Sequence, residues 1–540
     1  MKRFKDPIYG YIEIEENIAE NIIDTPEFQR LRNIIQTSYS PLYASAVHNR
    51  FVHSLGVYHL GRIVTSSIND VDDVTINLEK YKKIFELACL LHDIGHAPFS
   101  HTGEIFYLEK KQSRDKLHTE IIELTADDLL KDEIAKKNYS AAPHELMSVI
   151  VALKRFNFLF EDNNERSFFA RCILGYNYAN SLDIDKSFLN QMISMLNSSL
   201  IDVDKLDYLI RDAYITGFDT VSIDYERLLK SVKIIKKDDM CKLVYSKAAV
   251  SIIENVIFAH DSERKWIQNH PIVQYESYIL KYAMEKLNNE HGIFSYEFLT
   301  SDGHKGNGVL KEFHISLLND SDILFLMKSL KNLKDDKLIN EYFARNERRH
   351  PLWKSESEYK AIFSAFSDEN FEVLENEFEG LLKYLNYSNK LSANDEAIEY
   401  LNDDIKKFQL ILENEKASEE PNTSQIARLK KQIEQLEKHL KWLKCLKDFA
   451  NSQELDFDFI IIKADQFNSG FGKVALEDIE IEFPDLQYTP KFKKIASSLA
   501  SSKSIREKFF YIFYYRNSQK RLDTRQLAVE LGKICMEESA

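Results

Sequence analysis

Residues 87–104 read LACLLHDIGHAPFSHTGE. An apolar run ends in adjacent His92 and Asp93, and His96 and His101 follow within nine residues. Gly95 and Pro98 break the helical pattern there, so polar groups are presented where an apolar helix stops. Adjacent His and Asp at a helix end place two donors of different hardness within reach of one ion. Two more groups lie beside apolar helices: His53 in HNRFVHSLG (48–56) and Asp204 in LIDVDKLDYLIRD (200–212). Single ligands from those helices would complete a set of two nitrogens and two oxygens. Neutral imidazole with carboxylate suits Mn, Fe, Ni, Co or Zn, and Mg less comfortably. An octahedral ion held by four side chains keeps positions for water and a phosphoryl oxygen, as metal-assisted phosphoester chemistry needs. A lone histidine is ordinarily a satisfied core or surface residue. Here the residues come as a set, each beside an apolar helix, which favours ligation. Spacing alone leaves open whether His53 and Asp204 converge with residues 92 and 93.

The rest of the chain bounds the chemistry. Its 540 residues, 44% hydrophobic, can bury large cores in two or three subdomains. Cys89, Cys172, Cys241, Cys445 and Cys535 are far apart without CxxC pairing, as expected of reduced thiols in a cytosol. No run of 18 apolar residues occurs, and MKRFKDPIYGYIEI lacks an apolar signal core, so a soluble, unexported, cytoplasmic protein is expected. The net charge of −15 argues against a broad nucleic-acid-binding surface. It leaves room for a small anionic ligand, because a metal and a few Lys or Arg can dominate one pocket's field.

Helical periodicity predicts a mainly α fold. Residues 81–92, 146–160, 187–214, 225–236 and 248–289 read as helices, which makes 1–290 a helical core. Residues 291–395 read as a mixed, mainly helical extension containing the polar loop TSDGHKGNG (300–308), whose glycines are not spaced as a phosphate cradle. In 396–450, Leu401, Ile405, Phe408 and Leu412 form one heptad seam, and Ile426, Leu429, Ile433, Leu436, Leu440 and Leu443 form another. The break KASEEPNTSQ joins them into an inserted antiparallel helical hairpin, packed on itself in preference to an oligomer contact. Residues 451–540 read as a smaller α+β C-terminal lobe: strand-like LDFDFIIIKADQF and DIEIEFPD, then two helices from about 492 to 537.

With these motifs in order, the chain resembles the HD superfamily of metal-dependent phosphohydrolases, through H…HD…D as His53, His92-Asp93 and Asp204. More narrowly it is similar to the deoxynucleoside triphosphate (dNTP) triphosphohydrolases, which include bacterial dGTPases and the vertebrate enzyme that carries a sterile alpha motif. The matching stretches are DPIYGYIEI, IIDTPEFQRLR, HNRFVHSLGV, LLHDIGHAPFSHTGE, HELMS and IDVDKLDYLIRD, in family order over residues 6–212. A sterile-alpha-motif domain is not expected, and the 396–450 hairpin has no recognised counterpart.

The resemblance implies hydrolysis of a dNTP to deoxynucleoside and triphosphate by water attack at the α-phosphorus. It implies a divalent metal at His53, His92, Asp93 and Asp204. It implies a His101–Glu104 pair in which the carboxylate orients an imidazole acting as general acid. His96 and His144 match histidines lining the phosphate site, with His118 a rival for the His144 role. Arg50 and Lys205 match residues that hold the triphosphate. Gln36, Tyr208 and Asp212 match residues around the sugar, where a tyrosine against C2′ would exclude ribonucleotides sterically. Asp24, Gln29 and Arg32 match the guanine-reading residues of an activator site, although Lys5 stands where the vertebrate relative has an asparagine. A homo-oligomer, tetramer or hexamer, is implied. Two alternatives stay open: another HD activity (nucleoside monophosphatase or cyclic-nucleotide phosphodiesterase), or a nucleotide-sensing interaction protein with a vestigial site. Balancing dNTP pools and antiviral defence would use the same site, and the preferred base is not legible.

Overall fold

The computed structural model describes residues 1–37, 42–108, 113–128, 130–131, 134, 141–179, 183–198, 201–218, 222–305, 314–385, 394–418, 422–464, 479–483, 488–495, 508–516 and 522–539. The fold is 65% helical with few small sheets, the mainly α architecture with a small α+β lobe that periodicity predicts. Two compact units are present: one comprises Met1–Gln268, Ala283–Asp335 and Asn468–Ile505, the other Asn269–Tyr282, Asp336–Phe467 and Arg506–Ala540. Residues 306–308 of the polar loop lie outside the described residues, as do parts of LDFDFIIIKADQF and DIEIEFPD.

In the first unit, three helices carry the HD motif residues. Arg50–Ser66 starts where the Asn49 side chain accepts Val52 N–H. Leu78–Leu91 starts at Asn77, which accepts Lys80 N–H. Val203–Thr216 starts at Asp202, which accepts Lys205 N–H, and stops at left-handed Gly217. Their packing depends on residues without side chains. A Cβ at Gly56 would lie 1.8 Å from Asp207 Oδ1 and 2.5 Å from Arg211 Nη2, so only glycine admits that buried pair beside the His53 helix. A Cβ at Gly95 would lie 2.3 Å from Ser148 N, so the turn after His92-Asp93 sits directly on the Pro143–Arg155 backbone. The N-terminal strands Lys2–Asp6 and Gly10–Ile14 pair antiparallel, Lys2 opposite Ile14.

The helix expected over 225–236 covers only Tyr225–Lys230; Val232–Lys237 is a strand paired antiparallel with Met240–Ser246. VKIIKK buries Val232 and Ile234 and exposes Lys233, a period of two. Asp238 and Asp239, at φ 51° and 62°, make the two-residue turn whose twist suits a hairpin. The C-terminal tail departs similarly. Instead of two helices over 492–537, a short helix at Phe492–Ile495 is followed by strand Phe509–Tyr514 and helix Thr524–Ser539. That strand is buried at every position, so it has no alternation to distinguish it from a core helix.

The second unit centres on a three-stranded sheet in which Phe509–Tyr514 lies between His350–Pro351 and Ile460–Ala464. The hairpin helices Asn394–Lys416 and Thr423–Ser452 run antiparallel, with Lys447 Nζ 2.7 Å from Asp395 Oδ1. Of their seam residues, Leu401, Ile405, Leu412, Leu429, Ile433, Leu436, Leu440 and Leu443 are buried, and Phe408 and Ile426 are half-buried. Trp353 fastens the sheet: it is 1% exposed, packs on Tyr359 and Phe363, and donates from Nε1 to the Phe510 carbonyl at 2.8 Å. Trp353→Ala is expected to destabilise this unit by about 3–5 kcal/mol, through the cavity and the orphaned carbonyl. Urea unfolding measures it, as a shifted midpoint.

Candidate active site

The helices bring the expected metal ligands together. His53, His92 and Asp204 each place a ligand atom within 4.8 Å of the others. Asp204 Oδ1 is 3.0 Å from His53 Nε2 and 3.6 Å from His92 Nε2. Asp93 completes the set, with Oδ1 3.4 Å from His92 Nε2 and Oδ2 3.6 Å from His53 Nε2. Asp204 is 35% exposed whereas His53 and Asp93 are at most 1% exposed, so the cluster opens to solvent on the Asp204 side.

The protonation states follow from the partners of the opposite ring nitrogens. His92 Nδ1 donates to the Cys89 carbonyl at 2.9 Å, which aims Nε2 into the site, where it has no hydrogen-bond partner among the described residues. His53 Nδ1 donates to Asp207 Oδ2 at 2.7 Å, which aims its Nε2 at the Asp204 oxygen. Lone pairs set opposite carboxylates require a cation between them, either a proton or a metal. Burial would lower the His53 pKa, but Asp204 and Asp207 outweigh it and raise it to about 9. Two imidazoles and two carboxylates, each imidazole oriented through its far nitrogen, fit a divalent transition metal.

Asp207 was not singled out from the sequence, and it organises the set. Arg211 donates to both its oxygens at 2.9 Å and to Asp6 Oδ2 at 2.9 Å. Asp6 in turn accepts the N–H groups of Ile8 and Tyr9. Burial would raise the Asp207 pKa, but Arg211 and His53 lower it to about 2. The signal was present: a carboxylate three residues past Asp204 and four before an arginine, on one helix.

A second cluster adjoins the first: His96, His101, Glu104 and His144 could also hold a metal ion. Its rings suit another task. Glu104 takes His101 Nδ1 at 2.8 Å on one oxygen and His144 Nδ1 on the other. His96 stacks on His144, centroids 4.1 Å apart and planes 11° apart, so their in-plane lone pairs do not converge. Burial would lower His144, but Glu104 raises it to about 9; burial, Arg50 and His144 hold His96 well below the usual imidazole range. His101 is 60% exposed, an imidazole held through Nδ1 by Glu104 and open to a ligand. His96 Nε2, 3.2 Å from Asp93 Oδ1, joins the clusters. His118 is buried on Ser113–Thr125, and it is His144 that reaches Glu104.

Arg50 is buried, donating to Asp93 Oδ2 at 2.7 Å, Ser100 Oγ at 2.9 Å and the Gln36 carbonyl at 3.2 Å. Lys205 Nζ is held by Asp202 at 2.6 Å and the Ser198 carbonyl at 2.8 Å. Asp212 lies 2.5 Å from His48 Nε2, a partner the motifs did not indicate. The buried Gln36 Oε1 has no hydrogen-bond partner among the described residues, and Tyr208 is half-buried on the Asp204 helix. Of the expected activator residues, Asp24 pairs with Lys2 at 2.6 Å. Gln29 Oε1 accepts Arg32 Nε at 2.8 Å, and the Arg32 guanidinium lies 3.6 Å over the Phe51 ring.

The HD domain family model matches residues 50–173. An uncharacterized protein of Mycoplasma genitalium, MG461, is 30% identical over 258 residues, 47% of this chain and 53% of that protein. The uncharacterized YwfO of Bacillus subtilis is 28% identical over 304 residues, 55% of this chain and 58% of that protein. The deoxynucleoside triphosphate triphosphohydrolase SAMHD1 of Danio rerio is 32% identical over 241 residues, 43% of this chain and 36% of that protein. The chain thus spans about half the length of the first of these relatives. A crystal structure of a hypothetical protein from Aquifex aeolicus superposes over 99% of both chains with a TM-score of 0.54 at 19% identity, a likeness of fold alone.

Asp207→Asn is expected to weaken Mn binding about 10–100-fold with the fold retained, measured by isothermal titration calorimetry and far-UV circular dichroism. In the unaltered chain His53, with its pKa of about 9, carries a proton at pH 7 that a metal displaces. Mn affinity should therefore rise from pH 7 to 9 and level above it, with proton release visible as buffer-dependent heat.

Proposed function

We propose that this chain, which carries an HD domain and is similar to deoxynucleoside triphosphate triphosphohydrolases, hydrolyses dNTPs to deoxynucleoside and triphosphate. The observation that carries the reading is the His101–Glu104–His144 triad, set beside a four-residue metal cluster by the Asp93–His96 contact. A divalent cation at His53, His92, Asp93 and Asp204 supplies Lewis-acid polarisation of a phosphate oxygen.

The chain's own residues then divide the work. Arg50, already committed to Asp93, adds positive charge where the α-phosphate would lie. Water attacks the α-phosphorus, the bond from phosphorus to O5′ breaks, and its electron pair leaves on O5′. His101, exposed and oriented by Glu104, protonates that oxygen, while the water's proton passes to solvent. His96, neutral and buried, orients the phosphate. Gln36, Tyr208 and Asp212 surround the sugar, with His48 fixing the Asp212 carboxylate.

Activation by a second nucleotide at Asp24, Gln29 and Arg32, and assembly into a homo-oligomer, belong to the same reading. The pairing of Gln29 with Arg32 would have to open for a base edge to bind. Lys205, already held by Asp202, favours a second reading: a smaller phosphoester, such as a nucleoside monophosphate or cyclic nucleotide, needs fewer cations. No described helix is long and apolar enough to cross a membrane.

Chromatography separates the readings. With Mn or Mg and each dNTP, alone and in a four-way mixture, nucleoside plus triphosphate is expected. Monophosphate or orthophosphate products would transfer the chain to another phosphohydrolase activity, and turnover only in mixtures would support an activator site. Asp204→Ala should abolish metal binding and turnover together. His101→Ala should keep the metal and lose about 10²–10⁴-fold in kcat.

A further inference from the structure

The residue preceding the proton donor has a backbone that its side chain disfavours. Ser100 sits at φ 53°, ψ −127°, the first central position of a turn closed by Thr102 N–H to the Phe99 carbonyl at 3.2 Å. That position belongs to glycine in a type II′ turn, yet serine stands there, after a Phe99 that is itself at φ 57°. His101 is the second central residue, so this turn decides where its imidazole points. Such backbone persists only where its surroundings over-determine it.

Those surroundings come from a distant part of the chain. Asp320, 221 residues from Phe99 and the first residue of helix Asp320–Ser329, is 9% exposed. Its Oδ1 accepts Phe99 N–H at 2.6 Å and its Oδ2 accepts Ile35 N–H at 2.8 Å. Ser100 Oγ donates to the Ile35 carbonyl at 2.5 Å and accepts Arg50 Nε–H at 2.9 Å, so both faces of the turn are tied to residue 35. Arg30 grips the preceding backbone: Nε donates to the Leu318 carbonyl at 2.7 Å, Nη1 to Ile94 at 3.3 Å, and Nη2 to His96. All these groups belong to the first unit, and Asp320 lies well beyond the 50–173 HD match.

We propose that Asp320 is a positioning residue for His101, its carboxylate clamping the Phe99–Ser100 turn to Ile35 so that the imidazole stays aimed at the leaving oxygen. The inference rests on the reading of His101 as general acid. An amide cannot replace the carboxylate, because two N–H donors meet it and an amide offers one acceptor and one further donor. A serine keeps a single acceptor and loses the bridge.

The test uses leaving groups that differ in their need for a proton. Asp320→Asn, with Asp320→Ser as a second variant should the first melt, is assayed on the four-dNTP mixture and on the p-nitrophenyl ester of thymidine 5′-phosphate. In the ester, p-nitrophenolate departs without protonation. Metal content and thermal melting are read alongside. On dNTPs, kcat should fall about 100-fold while KM and metal content hold. On the activated ester the rate should change by less than about threefold, because no general acid is needed. An equal loss on both substrates, or no loss on dNTPs, overturns the proposal. His101→Ala separates it from its premise. If that variant discriminates between the substrates and the Asp320 variants do not, the clamp alone is wrong; if it does not, the general-acid reading falls and the clamp with it.

Discussion

A carboxylate that is 1% exposed stays ionised only beside a cation, and Asp93 has Arg50 Nη1 at 2.7 Å. Burial pushes the Asp93 carboxyl up, but Arg50, His92 and His96 together hold it well below the usual range. That ion pair is the centre from which the site extends. One oxygen of Asp93 faces the His92 and His96 rings, the other the His53 ring and Arg50. Without Arg50 the buried carboxylate would keep only the imidazoles of His53, His92 and His96 as partners.

The same logic of paired burial runs outward from each ligand. His53 is held by Asp207, Asp207 by Arg211, and Arg211 by Asp6 in the first strand. The N-terminal hairpin is thereby wired to the His53 imidazole through three buried charges. A glycine at 56 exists to admit that chain, since any side chain there would collide with Asp207 and Arg211. Paired charges fix the buried part of the site, while Asp204 and His101 remain open to solvent.

Much of the candidate site was legible in the sequence, because its residues lie in short motifs at helix ends. His92, Asp93, His96, His101 and Glu104 fall within one stretch, and the structure brings His53, Asp204 and His144 to them. The second strand of residues was not legible. Asp207 and Arg211 look like an ordinary surface pair at helical spacing until Gly56 shows how deeply they are buried. His48 carries no motif beyond its place before Arg50, and its role depends on a contact 164 residues away. The strands at Val232–Lys237 and Phe509–Tyr514 read as helix in the sequence, one because its alternation is short, the other because a fully buried strand has no periodic face.

The sequence by itself determined what depends on local order: a mainly helical chain and the ligand types that suit a divalent metal. These follow from side-chain chemistry and from neighbours within a few residues. Only the tertiary structure decided which far nitrogens are occupied, which carboxylates are buried with a guanidinium, and that His144, not His118, shares Glu104 with His101. It alone brought Asp320 to a turn that Ser100 would not hold unaided. The physical reason is that desolvation and hydrogen-bond geometry act between atoms close in space, and a linear sequence does not encode which distant residues will be close.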